Sequence, residues 1–380
     1  MKRIAILFTA LCILITSCKE QKMTIGEVFP PAPVIIPFTK GHVFHIFPVL
    51  KEKSIGIVYG ERWAIGTIKK DAVDLDNFPE KEFSIPSAKA LPQKDEEVLF
   101  VKTPKSVDIL NWKEKKQKAY FMDVSKSLGI GIENSKVIDY KDGIALSVFY
   151  YDDDNMDFHY SFVIDDIPNK QRLKDIPIPD YAPQFPIYFT PSYIFYRRNW
   201  QVPWQALDND LNEITYPLVN LLNKDPSDST FAVVNDNLFI SEGLKQALII
   251  SFSKVAGKDK LFLARWYAEP EVIPIPIDSS VFSGNRRLMK TPNQNTISPS
   301  GKWVYFATDG GDHLEDTHYL VYLDPDLPNG FLPPFKLSIE GDVEQASWIT
   351  TPEGLVLYKD DSLLYFDLSN FKPQDYVSGR

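Results

Sequence analysis

The chain has 380 residues, with 41 Lys and Arg against 51 Asp and Glu, a formal charge of −10. Such an acidic chain is repelled by polyanions, which excludes nucleic acid and charge-driven binding to anionic lipid. Only two cysteines are present, so a disulfide scaffold is excluded, and 44% hydrophobic residues over this length must supply the stability through a large core.

In chain order, the first element is "MKRIAILFTALCILITSC". Lys2 and Arg3 precede a run from Ile4 to Ile15 that carries no charge. That run is shorter than the ~20 residues a membrane-spanning helix needs, so it reads as a secretion leader. Ile15-Thr16-Ser17-Cys18 resembles the bacterial lipobox, a branched apolar residue and two small residues before a cysteine. The resemblance implies cleavage before Cys18, diacylglycerol on its thiol and acylation of the new amino terminus. Residues 1–17 are then the leader, and its removal takes the charge from −10 to −12. The bilayer, reached through acylated Cys18, is the expected anchor, and several acyl chains suffice for stable attachment. The expected place is the bacterial cell envelope, at the outer membrane.

Residues 18–37 follow, with Pro30, Pro31, Pro33 and Pro37 favouring an extended chain over a helix. They read as a lipidated terminus and tether. Residues 38–380 read as the folded body.

Within that body, "SPSGKWVYFATD" at 298 is matched by "TPSYIFYRRN" at 190 and "TPEGLVLYKDD" at 351, with looser copies at 140 ("YKDGIALSVFYYDDD") and 234 ("VNDNLFISEG"). Each is a turn followed by an alternating apolar strand. A second half also recurs, an apolar strand ending in an aspartate: Asp123, Asp165, Asp208, Asp324 and Asp367. Their gaps are 42, 43, 116 and 43 residues; the long gap admits one further unit near Ala268, and a weaker copy ends at Asp71. Seven units average about 49 residues, a period that predicts an all-β chain folded as a seven-bladed β-propeller, with six or eight blades as the alternatives. The aspartates suit Asx turns that close hairpins. Pro177 with Pro179, and Pro274 with Pro276, remove N–H donors from one strand edge only, which predicts outermost strands.

The "SPSGKWVYF" run, its polar hairpin and "HYLVYLD" resemble the WD40-like repeat of TolB-type propellers. The Gly-His and Trp-Asp marks of true WD40 repeats are absent, and so are the glycine-rich repeats of pyrroloquinoline-quinone-type propellers. The resemblance implies a fold and by itself no function.

Chemistry-bearing residues concentrate in two hairpins. Asp309, Asp312, His313, Glu315, Asp316 and His318 form one group; Asp152, Asp153, Asp154 and Asp157 form the other. The two histidines match no zinc-site spacing, and neither hairpin has the ligand order of a calcium loop, so solvated loops are expected and no metal is assigned. "DNDLNE" at 208 has Glu213 where a calcium loop needs glycine. There is no Gly-x-Ser-x-Gly, and no room after the seventh unit for an appended hydrolase domain. No catalytic residue and no cofactor is assigned. Trp63, Trp112, Trp200 and Trp204 read as blade packing rather than as a binding face.

These readings converge on a lipid-anchored propeller whose expected work is non-enzymatic binding of another envelope protein. The alternatives are a glycan hydrolase or lyase with carboxylates at a central channel, and a sensor for a small ligand or cation.

Overall fold

The computed structural model describes residues 32–60, 62–77, 89–92, 97–103, 106–111, 116–121, 136–141, 144–152, 158–166, 169, 171–179, 187–198, 202–223, 237–253, 258–275, 287–288, 297–309 and 316–377. Its regular structure is almost all β. After β1 (Val34–Pro37), the first sheet is β2 (Val43–Pro48), β3 (Ser54–Tyr59), β4 (Arg62–Ile68) and β5 (Val73–Asn77). The second is β6 (Lys89–Pro92), β7 (Glu97–Thr103), β8 (Ser106–Asn111) and β9 (Lys116–Phe121). The third is β10 (Lys136–Lys141), β11 (Ile144–Asp152), β12 (Phe158–Asp166) and β13 (Gln171–Pro177). The fourth is β14 (Ile187–Phe189), β15 (Tyr193–Tyr196), β16 (Gln205–Asp208) and β17 (Glu213–Ile214), followed by helix α1 (Pro217–Leu222). The fifth is β18 (Asn237–Ser241), β19 (Gln246–Ser253), β20 (Lys258–Arg265) and β21 (Glu271–Pro274). The sixth is β22 (Arg287–Leu288), β23 (Trp303–Asp309), β24 (Thr317–Tyr322) and β25 (Phe335–Glu340). The seventh is β26 (Gln345–Thr350), β27 (Glu353–Lys359) and β28 (Ser362–Asp367), before the short helix α2 (Gln374–Val377).

Six sheets are four-stranded antiparallel meanders of consecutive strands. The seventh has only three of its own, and β1 supplies the fourth, pairing Val34 with Tyr365 and Pro37 with Ser362. This corrects the tether reading at its far end. Residues 34–37 are a hydrogen-bonded strand, and the folded body begins before residue 38. Their extended, proline-compatible backbone suits an outer edge strand as well as it suits a tether.

The central strands explain how the sheets pack. In β23, Trp303 and Tyr305 enter a core shared with the seventh sheet, while Val304 and Phe306 enter one shared with the fifth. In β24, Leu320 and Tyr322 face one way, Tyr319 and Val321 the other. In β27, Leu355 and Leu357 face the sixth sheet, Val356 and Tyr358 the first. Burial on both faces is why "HYLVY" and "GLVLY" read as continuous apolar runs, whereas β13 at a sheet edge alternates. Further shared cores join the third sheet to the fourth and the fourth to the fifth. The core around Ile36, Ile46, Ile57, Tyr358 and Tyr365 joins the seventh sheet to the first, and β6 of the second sheet runs beside β2. In the first sheet the packing is tight at Gly56, where a Cβ would lie 2.1 Å from the ring of Phe47, its cross-strand partner.

The repeat units fall one to a sheet, with two shifts of phase. The turns at 140, 190, 298 and 351 each precede the second strand of their sheet. "VNDNLFISEG", however, leads into the first strand, β18, and the equivalent turn is Glu242–Lys245 before β19. Asp165, Asp208, Asp324 and Asp367 stand at the end of third strands. Asp123 instead comes after β9, the fourth strand of its sheet, and lies outside the described residues. Both proline runs fall at fourth strands, where β13 ends at Pro177 and β21 at Pro274.

Candidate functional site

Three of the strand-end aspartates fasten the turns that follow them. Asp208 Oδ1 accepts from the Asp210 and Asn212 N–H groups at 3.0 and 2.8 Å, and Oδ2 accepts from the Asn212 amide at 3.0 Å. Asp367 Oδ1 accepts from the Ser369 N–H at 2.9 Å. Asp324 accepts from the Asp326 N–H at 3.1 Å, Lys302 Nζ at 2.9 Å and the Tyr322 hydroxyl at 3.0 Å. Burial alone would raise the Asp324 carboxyl; the Lys302, Asp326 and Tyr322 donors outweigh it and hold that carboxyl below the ordinary range. In the third sheet the turn is held by Asp166, which accepts from Asn169, and Asp165 instead accepts from Arg172 at 3.0 Å. Burial pushes the Asp165 carboxyl up, with Arg172 opposing.

The acidic hairpins divide. Asp153, Asp154, Asp157, Asp312, His313 and Glu315 lie outside the described residues, and so do Cys18, Trp112 and Trp200; Asp152 and Asp309 end β11 and β23. Asp316 and His318, read as parts of a solvated loop, are buried in and beside β24. His318 lies between the Tyr305 hydroxyl, 2.8 Å from Nδ1, and the Gly341 carbonyl, 2.8 Å from Nε2. Among the described residues no group of three or more His, Cys, Asp or Glu side chains could hold a metal ion. Trp63 and Trp204 are buried in the cores of the first and fourth sheets. Among the described residues no helix is long and apolar enough to cross a membrane.

The arrangement that best suits a binding role lies where the seventh sheet meets the first, and the sequence did not single it out. Val43 pairs with Tyr59 and His45 with Val58, which leaves Phe44 as an extra residue in a β-bulge. Bulges re-aim side chains, and this one turns the Phe44 ring outward, 40% exposed on a strand whose other residues are buried or half-buried. His42 sets its ring edge-on to Phe44 at 5.0 Å and to Tyr358 at 5.9 Å, with Nδ1 3.7 Å from the Glu344 carboxylate. Beneath them the buried Tyr358 hydroxyl receives the Val43 N–H at 3.3 Å and donates to Asp361 at 2.9 Å. Burial chiefly, with the Asp361 carboxylate adding to it, pushes that phenol up to about 12, so it stays a neutral donor at any physiological pH. The Asp361 carbonyl accepts the Phe38 N–H, and the His42 carbonyl the Gly60 N–H. The seam thus presents an aromatic ring, an imidazole and a carboxylate from a rigid floor. Nothing in sequence links residues 42 and 344, which is why the pattern was invisible there.

Elsewhere, turns of neighbouring sheets clasp each other. Glu353 of the seventh sheet accepts from the Ser300 N–H at 3.0 Å and its hydroxyl at 2.9 Å, and Glu242 of the fifth accepts from the Ser192 N–H at 3.0 Å. Thr350 Oγ1 donates to the Val49 carbonyl at 2.9 Å, tying the seventh sheet to the first.

No family model matches the chain, and no curated protein matches it. Among solved structures, one similar chain is PorZ, described as an essential bacterial surface component of the type-IX secretion system of Porphyromonas gingivalis. The two share 9% identity over 89% of this chain and 38% of PorZ, with a TM-score of 0.46. This chain therefore spans well under half the length of PorZ, and a likeness so loose transfers no role.

Proposed function

We propose that the seven sheets are the blades of a closed β-propeller, that Cys18 anchors it by lipid in a bacterial envelope, at the outer membrane, and that it is a non-enzymatic scaffold binding another envelope protein. Closure is supported by β1, which completes the last sheet, and by the core that this sheet shares with the first. The lipid anchor is supported by the Ile15–Cys18 pattern alone. The binding role rests on one observation, the Phe44 ring held outward on a bulge at the ring-closing seam. Rigid aromatics carry much of the energy of protein interfaces, because they add large contact area with little rotamer entropy to lose.

The test is capture of the lipidated chain from its own envelope with a photo-crosslinking residue at position 44, beside a Phe44→Ala chain. One stoichiometric protein partner is expected, with affinity falling at least about tenfold in Phe44→Ala, since a central aromatic anchor is worth more than ~1.4 kcal/mol. Turnover of an envelope glycan with no protein captured would overturn the scaffold role in favour of the glycan-acting enzyme.

A further inference from the structure

We propose that His318 is a proton-sensitive tie that holds the connection 341–344 between the sixth and seventh sheets, and that acidification releases it. The proposal goes beyond the scaffold reading and needs no partner for its test.

His318 has no exposed surface, and both ring nitrogens are engaged. A carbonyl oxygen only accepts, so Nε2 carries the proton donated to Gly341; Nδ1 is then bare and accepts from the Tyr305 hydroxyl. The two rings lie parallel, 2° apart in plane with centroids 6.0 Å apart. This is the neutral imidazole, the form to which the burial of the ring and the Tyr305 hydroxyl are fitted. A second proton on Nδ1 would point at the Tyr305 oxygen and force the hydroxyl to turn its own hydrogen elsewhere within a fully buried site. It would also place a charge where no water reaches.

The charged and titratable groups around this site come from four elements. Tyr305 is on β23, Asp316 precedes β24, Asp342 is in the connection itself and Lys359 is on β27. Burial disfavours the charged imidazole most, Lys359 disfavours it further, and the Gly341 carbonyl and Asp342 oppose them; the balance holds His318 below the ordinary histidine range. Gly341 has φ +79°, a left-handed conformation that glycine adopts without strain, and a Cβ there would lie 3.0 Å from Lys359 Nζ. The next residues lead to Glu344, whose N–H bonds to the Tyr358 carbonyl and whose carboxylate faces His42 of the first sheet. A charged ring keeps its Nε2 proton and can still donate to Gly341, so what acid favours is a lifting of the span that the ring holds at one end, and whose other end sits at the ring-closing seam, to let water reach the charge.

The sign follows from linkage. With its proton affinity lowered by folding, His318 favours the tied state fully above about pH 6.5, the value of a free histidine. That contribution is lost as pH falls below this value toward the folded one.

The test is hydrogen exchange of the 341–344 amides in the full chain from pH 8 to pH 5, corrected for the intrinsic pH dependence of exchange. Opening should rise below about pH 6.5, at up to about tenfold per pH unit, the limit for one proton. In His318→Gln the side-chain amide can both donate to Gly341 and accept from Tyr305 without titrating, so protection at pH 8 should remain and the rise should vanish. A flat profile in the native chain, or an undiminished rise in His318→Gln, would overturn the proposal. Should that variant not fold, the ring-proton titration of His318 by NMR in the native chain decides: a midpoint clearly below 6.5 supports the tie, and one at or above 6.5 refutes it.

Discussion

At the residue scale, the strand-end aspartates Asp208, Asp324 and Asp367 serve the backbone of the turns that follow them. Asp324 gathers three donors in a pocket where little water competes, whereas Asp367 makes its bonds in solvent. Asp324→Ala should therefore cost about 1–3 kcal/mol in denaturant unfolding, and Asp367→Ala under about 1 kcal/mol. The Asp324 carboxyl is held below its ordinary value, so its contribution is complete above about pH 4, where a free aspartate is ionised, and is lost as pH falls through the folded value. The stability gap between native chain and variant should close in acid; a gap constant with pH would contradict the assignment. The turn role was legible in the sequence as an aspartate at a strand end. Its strength was not, because Lys302 and Tyr322 reach Asp324 through the hairpin pairing of Trp303 with Tyr322. His318 shows the same limit: five residues from His313 it reads as loop, yet the strand begins at Thr317 and draws it into the core.

Strands and turns were the most readable level, since turn residues and apolar runs are local. The failures at this scale are shifts of phase, where two turns of one sheet share a composition. "VNDN" before β18 and "SEGLK" before β19 both look like the start of a unit, and only pairing Ser241 with Gln246 tells which is the hairpin. The bulge at Phe44 is a further case, because one extra residue changes which side chain faces out without changing composition. The contacts between elements are testable in the turn clasp. Ser300 is exposed and its bonds to the half-buried Glu353 lie in solvent, so a double-mutant cycle of Ser300→Ala with Glu353→Gln should give a coupling of about 0.5–1 kcal/mol. Part of the bond survives in the single serine variant, since the Ser300 N–H remains. A coupling of zero would mean that the Ser300 hydroxyl adds nothing to the clasp.

At the scale of the molecule, the described residues form seven small antiparallel sheets, the number of repeat units that the recurring turns and strands predict. What spacing could not provide was the pairing of β1 with β28. A short strand of Val34, Ile35, Ile36 and Pro37 has too little pattern to announce its partner about 330 residues away, and Pro37 with the prolines before it disguises it as linker. The packing of the last sheet on the first matters physically because the central strands of the sixth and seventh sheets are apolar on both faces. An open row would leave one face of the first sheet and one of the last in water, whereas Ile36, Ile46 and Ile57 meet Val356, Tyr358 and Tyr365 instead.

That meeting is the central claim, and a disulfide tests it most directly. Ile35 and Leu364 stand opposite each other in the β1–β28 pair, and Cys12 and Cys18 are the only native thiols. In a chain with both native cysteines replaced by serine, Ile35→Cys with Leu364→Cys should oxidise to a single intramolecular bond without loss of β structure. Bridging so long a loop should then raise stability by about 3–5 kcal/mol, less any strain in the bond. Free thiols at both positions in a folded, oxidised chain would show that β1 does not close the last sheet onto the first.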